Sequence, residues 1–201
     1  MGALALATLE HHVEQQLEYD IKVFHEDDIP WQVQNDIHRL LNMAFKGKSM
    51  RFIAKTYAHV RPIERVICYK GLNPVAHIGI YSDTLHISNY SIKVACLGLW
   101  ASLEANKILA AKVLAKALQY LKDQGYELGI GVSNSKVVLD HILPHHFEHA
   151  QLNVKVQGHN SISKSTDKTV FFPLNISKQA FDEIIEKASK VEVIQVDTEV
   201  F

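Results

Sequence analysis

Cysteine is scarce in this chain: Cys68 and Cys96 are its only two in 201 residues, and both stand inside apolar runs. Two isolated thiols do not make the disulfide framework of a secreted domain, so buried free thiols in a reducing compartment, the cytoplasm, are expected. Charge of one sign is lacking as well. With 21 Lys and Arg against 22 Asp and Glu, the formal net charge is -1. Nothing in that balance draws in nucleic acid or an anionic membrane surface. No apolar stretch reaches membrane-spanning length, and MGALALATLEHHVEQQL has neither a basic segment before its apolar run nor a small-residue cleavage pattern. Neither a membrane span nor secretion is expected. Internal repeats and long linkers are missing too, which argues against solenoids and strings of domains.

What is present is ample core material, 47% of the residues being hydrophobic. The chain is organised around Ser91 to Gly125. Ser91 to Ala101 has the apolar, β-branched content of a buried strand, and from Lys107 the period becomes that of a helix. Ala110, Ala111, Leu114, Ala117, Leu118 and Leu121 form its apolar face, Lys112 and Lys116 lie opposite, and Gly125 closes it. The loop between, Ser102 to Lys107, meets the unpaired N–H groups and the positive dipole end of that helix. Such a loop is a seat for an anion such as a pyrophosphate.

In chain order, residues 3 to 17 have helical spacing and read as an appendage, 1–17, ahead of one domain spanning 18–190. Tyr19 to His25 alternates as a first strand, EDD offers an N-cap, and Val33 to Phe45 forms one helix face ended by Gly47. Lys48 to His59 is undecided. Glu64 to Tyr69 and Val75 to Tyr81 form a hairpin about Gly71, Asn73 and Pro74, and Thr84 to Ser88 pairs with Ser91 to Ala101. Glu127 to Ser133 follows a helix and is placed parallel to the preceding strand, as its neighbour or across a short gap. Asn134 or Ser135 caps a helix that Pro144 stops, Leu152 to Gln157 and Thr169 to Leu174 are strands, and Ser177 caps a last helix. The final segment, 191–201, is a strand or tail that pairs on a sheet edge or on a second subunit as a homodimer. The fold class is α/β (α+β), with a mixed, mostly antiparallel sheet flanked by helices.

Three stretches carry a resemblance: RPIERVICYKGLNPVAHIG from Arg61 to Gly79, ACLGLWA from Ala95 to Ala101, and LKDQGYELGIGV from Leu121 to Val132. They are similar to the nodulation N-acyltransferase family, NodA, and the order of elements resembles the splayed sheet of the GCN-five-related N-acetyltransferases (GNAT), the acyl-CoA N-acyltransferase superfamily. The resemblance runs over roughly residues 20 to 175 and implies transfer of an acyl group from a thioester, acyl-CoA or acyl carrier protein, to an acceptor amine. It implies that the donor's pantetheine pairs with backbone at Leu97, Leu99 and Ala101, and that a pyrophosphate sits on the loop that follows. The superfamily's R/Q-x-x-G-x-G/A loop falls on Ala105, Asn106, Lys107, Ile108, Leu109 and Ala110. Ala110 matches the last small position, Ile108 is bulky where a glycine is usual, and Lys107 supplies the charge that Ala105 lacks. A carrier-protein donor needs no nucleotide pocket. Where many members place a glutamate base on the central strand, this chain has Cys96.

Acyl transfer needs a base for the ammonium and an acid or water for the thiolate, and histidine titrates in the right range. His77, on a strand beside the central one, is the candidate base or substrate contact, set against a satisfied core histidine. The resemblance adds Asn134 to the donor-binding residues, and His141 lies seven residues after it, where N-x-x-A-x-x-x-Y puts a tyrosine acid, and is set against a surface histidine. Cys96 reads as a buried, inert thiol, which favours direct transfer. His141, His145, His146 and His149 have metal-like spacing that Pro144 interrupts, so no metal is expected. The stripe of Lys107, Lys112 and Lys116 is a solvated helix face or a contact for an acidic carrier protein. The rival to an enzyme is a non-catalytic protein of the same fold that binds a ligand or partner.

Overall fold

A sheet of nine strands runs through the computed structural model, which describes residues 19–46, 60–87, 90–157 and 167–197. The strands are β1 (Tyr19–His25), β2 (Glu64–Lys70), β3 (Asn73–Ile87), β4 (Tyr90–Ser102), β5 (Leu128–Ser133), β6 (Ala150–Leu152), β7 (Lys155–Gln157), β8 (Lys168–Pro173) and β9 (Val193–Val196). Their order is β1-β2-β3-β4-β5-β8-β6, antiparallel except for β4 with β5. The 17-residue helix α2 (Lys107–Asp123) forces that parallel pairing, because a crossover returns the chain to the same end of the sheet.

Helix α1 (Trp31–Ala44) follows a short 3-10 turn at Glu26–Asp28, so the acidic triplet forms that turn and Pro30 precedes the helix. Thr84 to Ser88 is not a separate strand. Val75 to Ile87 runs on as one long β3, with β2 on its free side as far as Ile80 and β9 at Leu85 and His86. The final segment thus enters the sheet of its own chain, where it also pairs with β7. Leu152 to Gln157 divides into β6, on β8, and β7, on β9. Where an ordinary helix was expected after Ser135, a π-helical turn (Val137–Ile142) runs into the short α3 (Leu143–His146). Ser177 caps α4 (Lys178–Ser189) by accepting from the Ala180 N–H, as expected. The expected helix over residues 3 to 17, Gly47 and the undecided segment 48–59 lie outside the described residues.

Helix α2 covers one face of the sheet, packing Leu109, Val113, Leu114 and Ala117 on Val66, Ile78 and Ala95. Helices α1 and α4 share the other face, over Ile67 and Tyr69 for α1 and over Val94, Cys96 and Ile130 for α4. Cys68 and Cys96 are free, buried and on opposite faces. No helix among the described residues is long and apolar enough to cross a membrane.

Candidate active site

β4 and β5 pair only from Val94 with Leu128 to Leu97 with Gly131, and then part. β4 stays with β3, Ala101 opposite His77, while β5 stays with β8, Ser133 opposite Lys168. The sheet therefore splays where the resemblance implied. Leu97 to Trp100 become half-buried in what would otherwise be an interior strand. The gap opens a cavity of about 690 Å³, walled on the α2 side by Ile78, Leu97, Leu114, Ile142, Val170 and Phe172 and reached from the α1 side by Phe45 and Leu99. At its mouth stand Glu104 to Lys107 on one side and Ser133 to Ser135 with Asp167 on the other.

The wall of β4 is bent by a bulge. Between the pairs Gly79–Gly98 and His77–Ala101, β4 has one residue more than β3, and Leu99 takes φ 51°. An extra residue resets the alternation of a strand. Ala95, Leu97 and Trp100 thus pack toward α2, whereas Leu99 and Ala101 pack toward α1.

His77 accounts for the backbone there. It is 0% exposed, with Nδ1 2.9 Å from the Leu99 carbonyl oxygen and Nε2 3.2 Å from Arg65 Nη1. A guanidinium only donates, so Nε2 accepts, and Nδ1 holds the proton given to Leu99. Burial, then the adjacent Arg65 charge, push the His77 pKa down to about 3, against the pull of the Leu99 bond. Arg65, itself 0% exposed, grips Glu26 through Nε at 2.6 Å and Nη2 at 3.2 Å, and Arg61 reaches the same carboxylate at 3.4 Å. A planar trans peptide carries its C=O and N–H on opposite sides. With the Leu99 carbonyl bonded to His77, the N–H of Trp100, a residue of the cavity wall, points away from His77.

At the mouth, Asn106 caps α2, its Oδ1 accepting from the N–H groups of Ile108 at 3.0 Å and Leu109 at 3.1 Å. Tyr19 Oη donates to Glu104 at 2.6 Å, Lys70 reaches the same carboxylate at 3.3 Å, and Asn106 Nδ2 lies 3.4 Å from Tyr19 Oη. The Tyr19 hydrogen bond, followed by Lys70, holds the Glu104 pKa below its usual range.

The sequence matches the nodulation protein A (NodA) family over residues 16–180, well over half of its length. The chain belongs to the NodA family. No curated protein matches it. Among solved structures, the AHL synthase LasI superposes with a TM-score of 0.58 at 9% identity, covering 79% of this chain and 91% of that one. FeeM, an N-acyl amino acid synthase from uncultured soil microbes, gives 0.56 at 10%, covering 78% and 91%. The GNAT family N-acetyltransferase YhbS from Escherichia coli, solved in complex with CoA, gives 0.55 at 10%, covering 88% of each chain. These likenesses establish the acyl-CoA N-acyltransferase fold. Family and fold together make this NodA-family protein an N-acyltransferase.

Of the residues singled out for donor binding, Leu97, Leu99, Ala105, Asn106, Lys107, Ala110 and Asn134 line the cavity. Ala101, Ile108 and Leu109 do not. The bulge turns Ala101 toward α1, Leu109 is buried under α2, and Ile108 is 67% exposed. The anion seat differs from expectation as well, because Asn106 already occupies the Ile108 and Leu109 N–H groups. The His77 ring is buried on the α1 side of the sheet, its one lone pair facing Arg65 and its N–H the Leu99 carbonyl. His141 is exposed on the π-helical turn and is not among the residues that line the cavity. Cys96 is buried on the α4 face, where burial, with a smaller push from Asp83, drives its pKa well up and leaves an inert thiol.

Among the described residues no group of three His, Cys, Asp or Glu is set to hold a metal, and His149 bonds instead to the Phe147 carbonyl and Gln151. Lys112 and Lys116 lie on the exposed face of α2. Glu26 and Arg65 escaped the sequence reading. The available signal was Arg65 in ERVICYK, a charge at the same alternate position as Ile67, which only a buried partner can satisfy.

Proposed function

We propose that this N-acyltransferase takes a fatty acyl group, longer than acetyl, from a pantetheine thioester on an acyl carrier protein and delivers it to an amine by direct attack. The observation that carries this reading is the apolar cavity of about 690 Å³ at the strand split. An acetyl group would leave most of it unfilled, whereas an alkyl chain gains about 0.8 kcal/mol for each buried CH₂. The mouth favours a donor without a nucleotide, since Asn106 takes the N–H groups a pyrophosphate would use and Glu104 adds a negative charge beside them. Exposed Lys107, Lys112 and Lys116 beside that mouth suit an acidic carrier protein.

In this mechanism the amine nitrogen's lone pair forms the C–N bond at the thioester carbon. The charge that gathers on the carbonyl oxygen is taken by the Trp100 N–H. Collapse breaks C–S, the electron pair leaves on sulfur as a thiolate with a pKa of about 8.5, and the amine's proton passes to water at the mouth. Cys96 has no access to the cavity, so no acyl-enzyme forms. Two free, buried thiols are in keeping with work in the cytoplasm.

Thermal unfolding with S-dodecanoyl pantetheine, dodecanoyl-CoA and acetyl-CoA tests this, followed by mass spectrometry of an amine panel for dodecanoyl amide. A ligand at about 100 times its Kd adds about 2.7 kcal/mol, which at this size raises the Tm by several degrees. S-dodecanoyl pantetheine is expected to give that rise and acetyl-CoA none. An equal rise with acetyl-CoA, or none with either dodecanoyl thioester, overturns the reading.

A further inference from the structure

We infer that Glu26, Arg65 and His77 form a buried brace that holds the Leu99–Trp100 peptide in its turned orientation, so that His77 is a positioning residue for the oxyanion donor. The inference rests on the acyl-transfer reading above.

Leu99 at φ 51° is a leucine in left-handed backbone, a conformation that survives only when its surroundings determine it. The bond from His77 Nδ1 to the Leu99 carbonyl, 2.9 Å, is the side-chain contact that holds it. That bond depends on which nitrogen carries the proton. In the other tautomer an Nδ1 lone pair would face the carbonyl lone pairs across 2.9 Å and drive the peptide over, taking the Trp100 N–H out of the cavity.

Arg65 sets the tautomer, because a guanidinium 3.2 Å from Nε2 can only donate and never loses its proton. Glu26 in turn fixes Arg65 by a two-point fork of 2.6 Å and 3.2 Å. Glu26 is held by its own N–H on the Ile63 carbonyl and by Arg61, which donates to its carboxylate and its carbonyl. Tyr81, buried beside the pair on β3, is a neutral phenol, its pKa raised by burial. A chain of contacts thus runs from the turn after β1, across β2 and β3, to the one peptide of β4 that must face the thioester.

The test compares His77→Leu and His77→Asn, the asparagine amide N–H overlaying Nδ1. His77→Leu should lower kcat with dodecanoyl-pantetheine by about 10², the usual effect of losing one oxyanion donor, with donor Kd changed less than about twofold. The shape of its pH–rate profile should match the wild type, and His77→Asn should recover most of kcat. A loss at neutral pH that recovers as pH rises would make His77 a base and overturn the brace. Equal kcat in the two folded variants would overturn it too.

Nitrogen-15 NMR of the histidines reads the brace without any substrate. The His77 ring should be protonated at Nδ1 in the wild type and shift to Nε2 in the double variant Glu26→Leu with Arg65→Met. An Nε2 proton in the wild type, or an unchanged tautomer in the double variant, sinks the proposal even if His77→Leu does not fold. Failure of the thioester to bind wild-type protein would instead remove the acyl-transfer reading and leave the tautomer result standing.

Discussion

The ring of Tyr81 lies over Gly98 so closely that a Cβ on Gly98 would come within 3.0 Å of Tyr81 Cε2. Gly98 faces Gly79 across β3 and β4, one residue before the bulge at Leu99, and a Cβ on Gly79 would meet the same ring at 3.4 Å. The glycines therefore make room for a buried tyrosine beside the reacting backbone.

Gly98→Ala must push Tyr81 aside in a packed core, at a cost of about 1–3 kcal/mol. Gly131→Ala, on the opposite wall, meets nothing nearer than the Leu97 carbonyl oxygen at 3.8 Å and should change stability by less than about 0.5 kcal/mol. Urea midpoints at matched slope check the pair. Equal midpoints would show that Tyr81 moves freely and does not brace the bulge.

The state of His77 makes stability depend on acid. Its folded pKa of about 3 lies below the unfolded value, so the native protein binds fewer protons than the unfolded chain between those limits. Its contribution is complete above about pH 6.5 and is lost as pH falls, approaching ~1.4 kcal/mol per pH unit and reaching about 2 kcal/mol by pH 5. Glu104, also depressed, loses its contribution with falling pH in the same sense, at the more acid pH of a carboxylate. Subtracting the urea stability of His77→Asn from that of the wild type at pH 7, 6 and 5 isolates the histidine. Parallel curves over that range would show that the buried ring accepts a proton in the folded state.

Asn106 exchanges a nucleotide seat for a helix cap. Asn106→Gly keeps a backbone suited to an N-cap, costs only a few tenths of a kcal/mol and frees the Ile108 and Leu109 N–H groups. The variant should bind CoA at least several-fold more tightly than the wild type in calorimetry, with S-dodecanoyl pantetheine affinity unchanged. No gain for CoA would mean that Glu104, not the cap, repels the pyrophosphate, and Glu104→Gln on the same background would then raise affinity.

Local pattern was enough for much of the chain. The change from strand to helical period between Ala101 and Lys107, the punctuation at Gly71, Asn73 and Pro74, and the cap at Ser177 each act over a few residues, and each stands in the structure. The family, too, was legible in three short stretches. The parallel pairing of β4 with β5 followed from the helix between them, since chain geometry leaves few other ways to return.

Other features depended on partners distant in sequence. Strict alternation would place Leu97, Leu99 and Ala101 on one face. The bulge that separates them carries no glycine at its turned residue, and it rests on His77, 22 residues earlier in the chain. Arg65 is met in the core by Glu26, 39 residues away. Sequence by itself determined most of the elements, because periodicity, caps and crossovers are local consequences of backbone geometry, and its resemblance to known stretches pointed to the splayed fold and the family. Tertiary structure alone decided which histidine nitrogen holds a proton, which way one peptide faces and whether the helix N–H groups are open. Each of these depends on what folding brings within hydrogen-bonding distance, and no spacing along the chain encodes that.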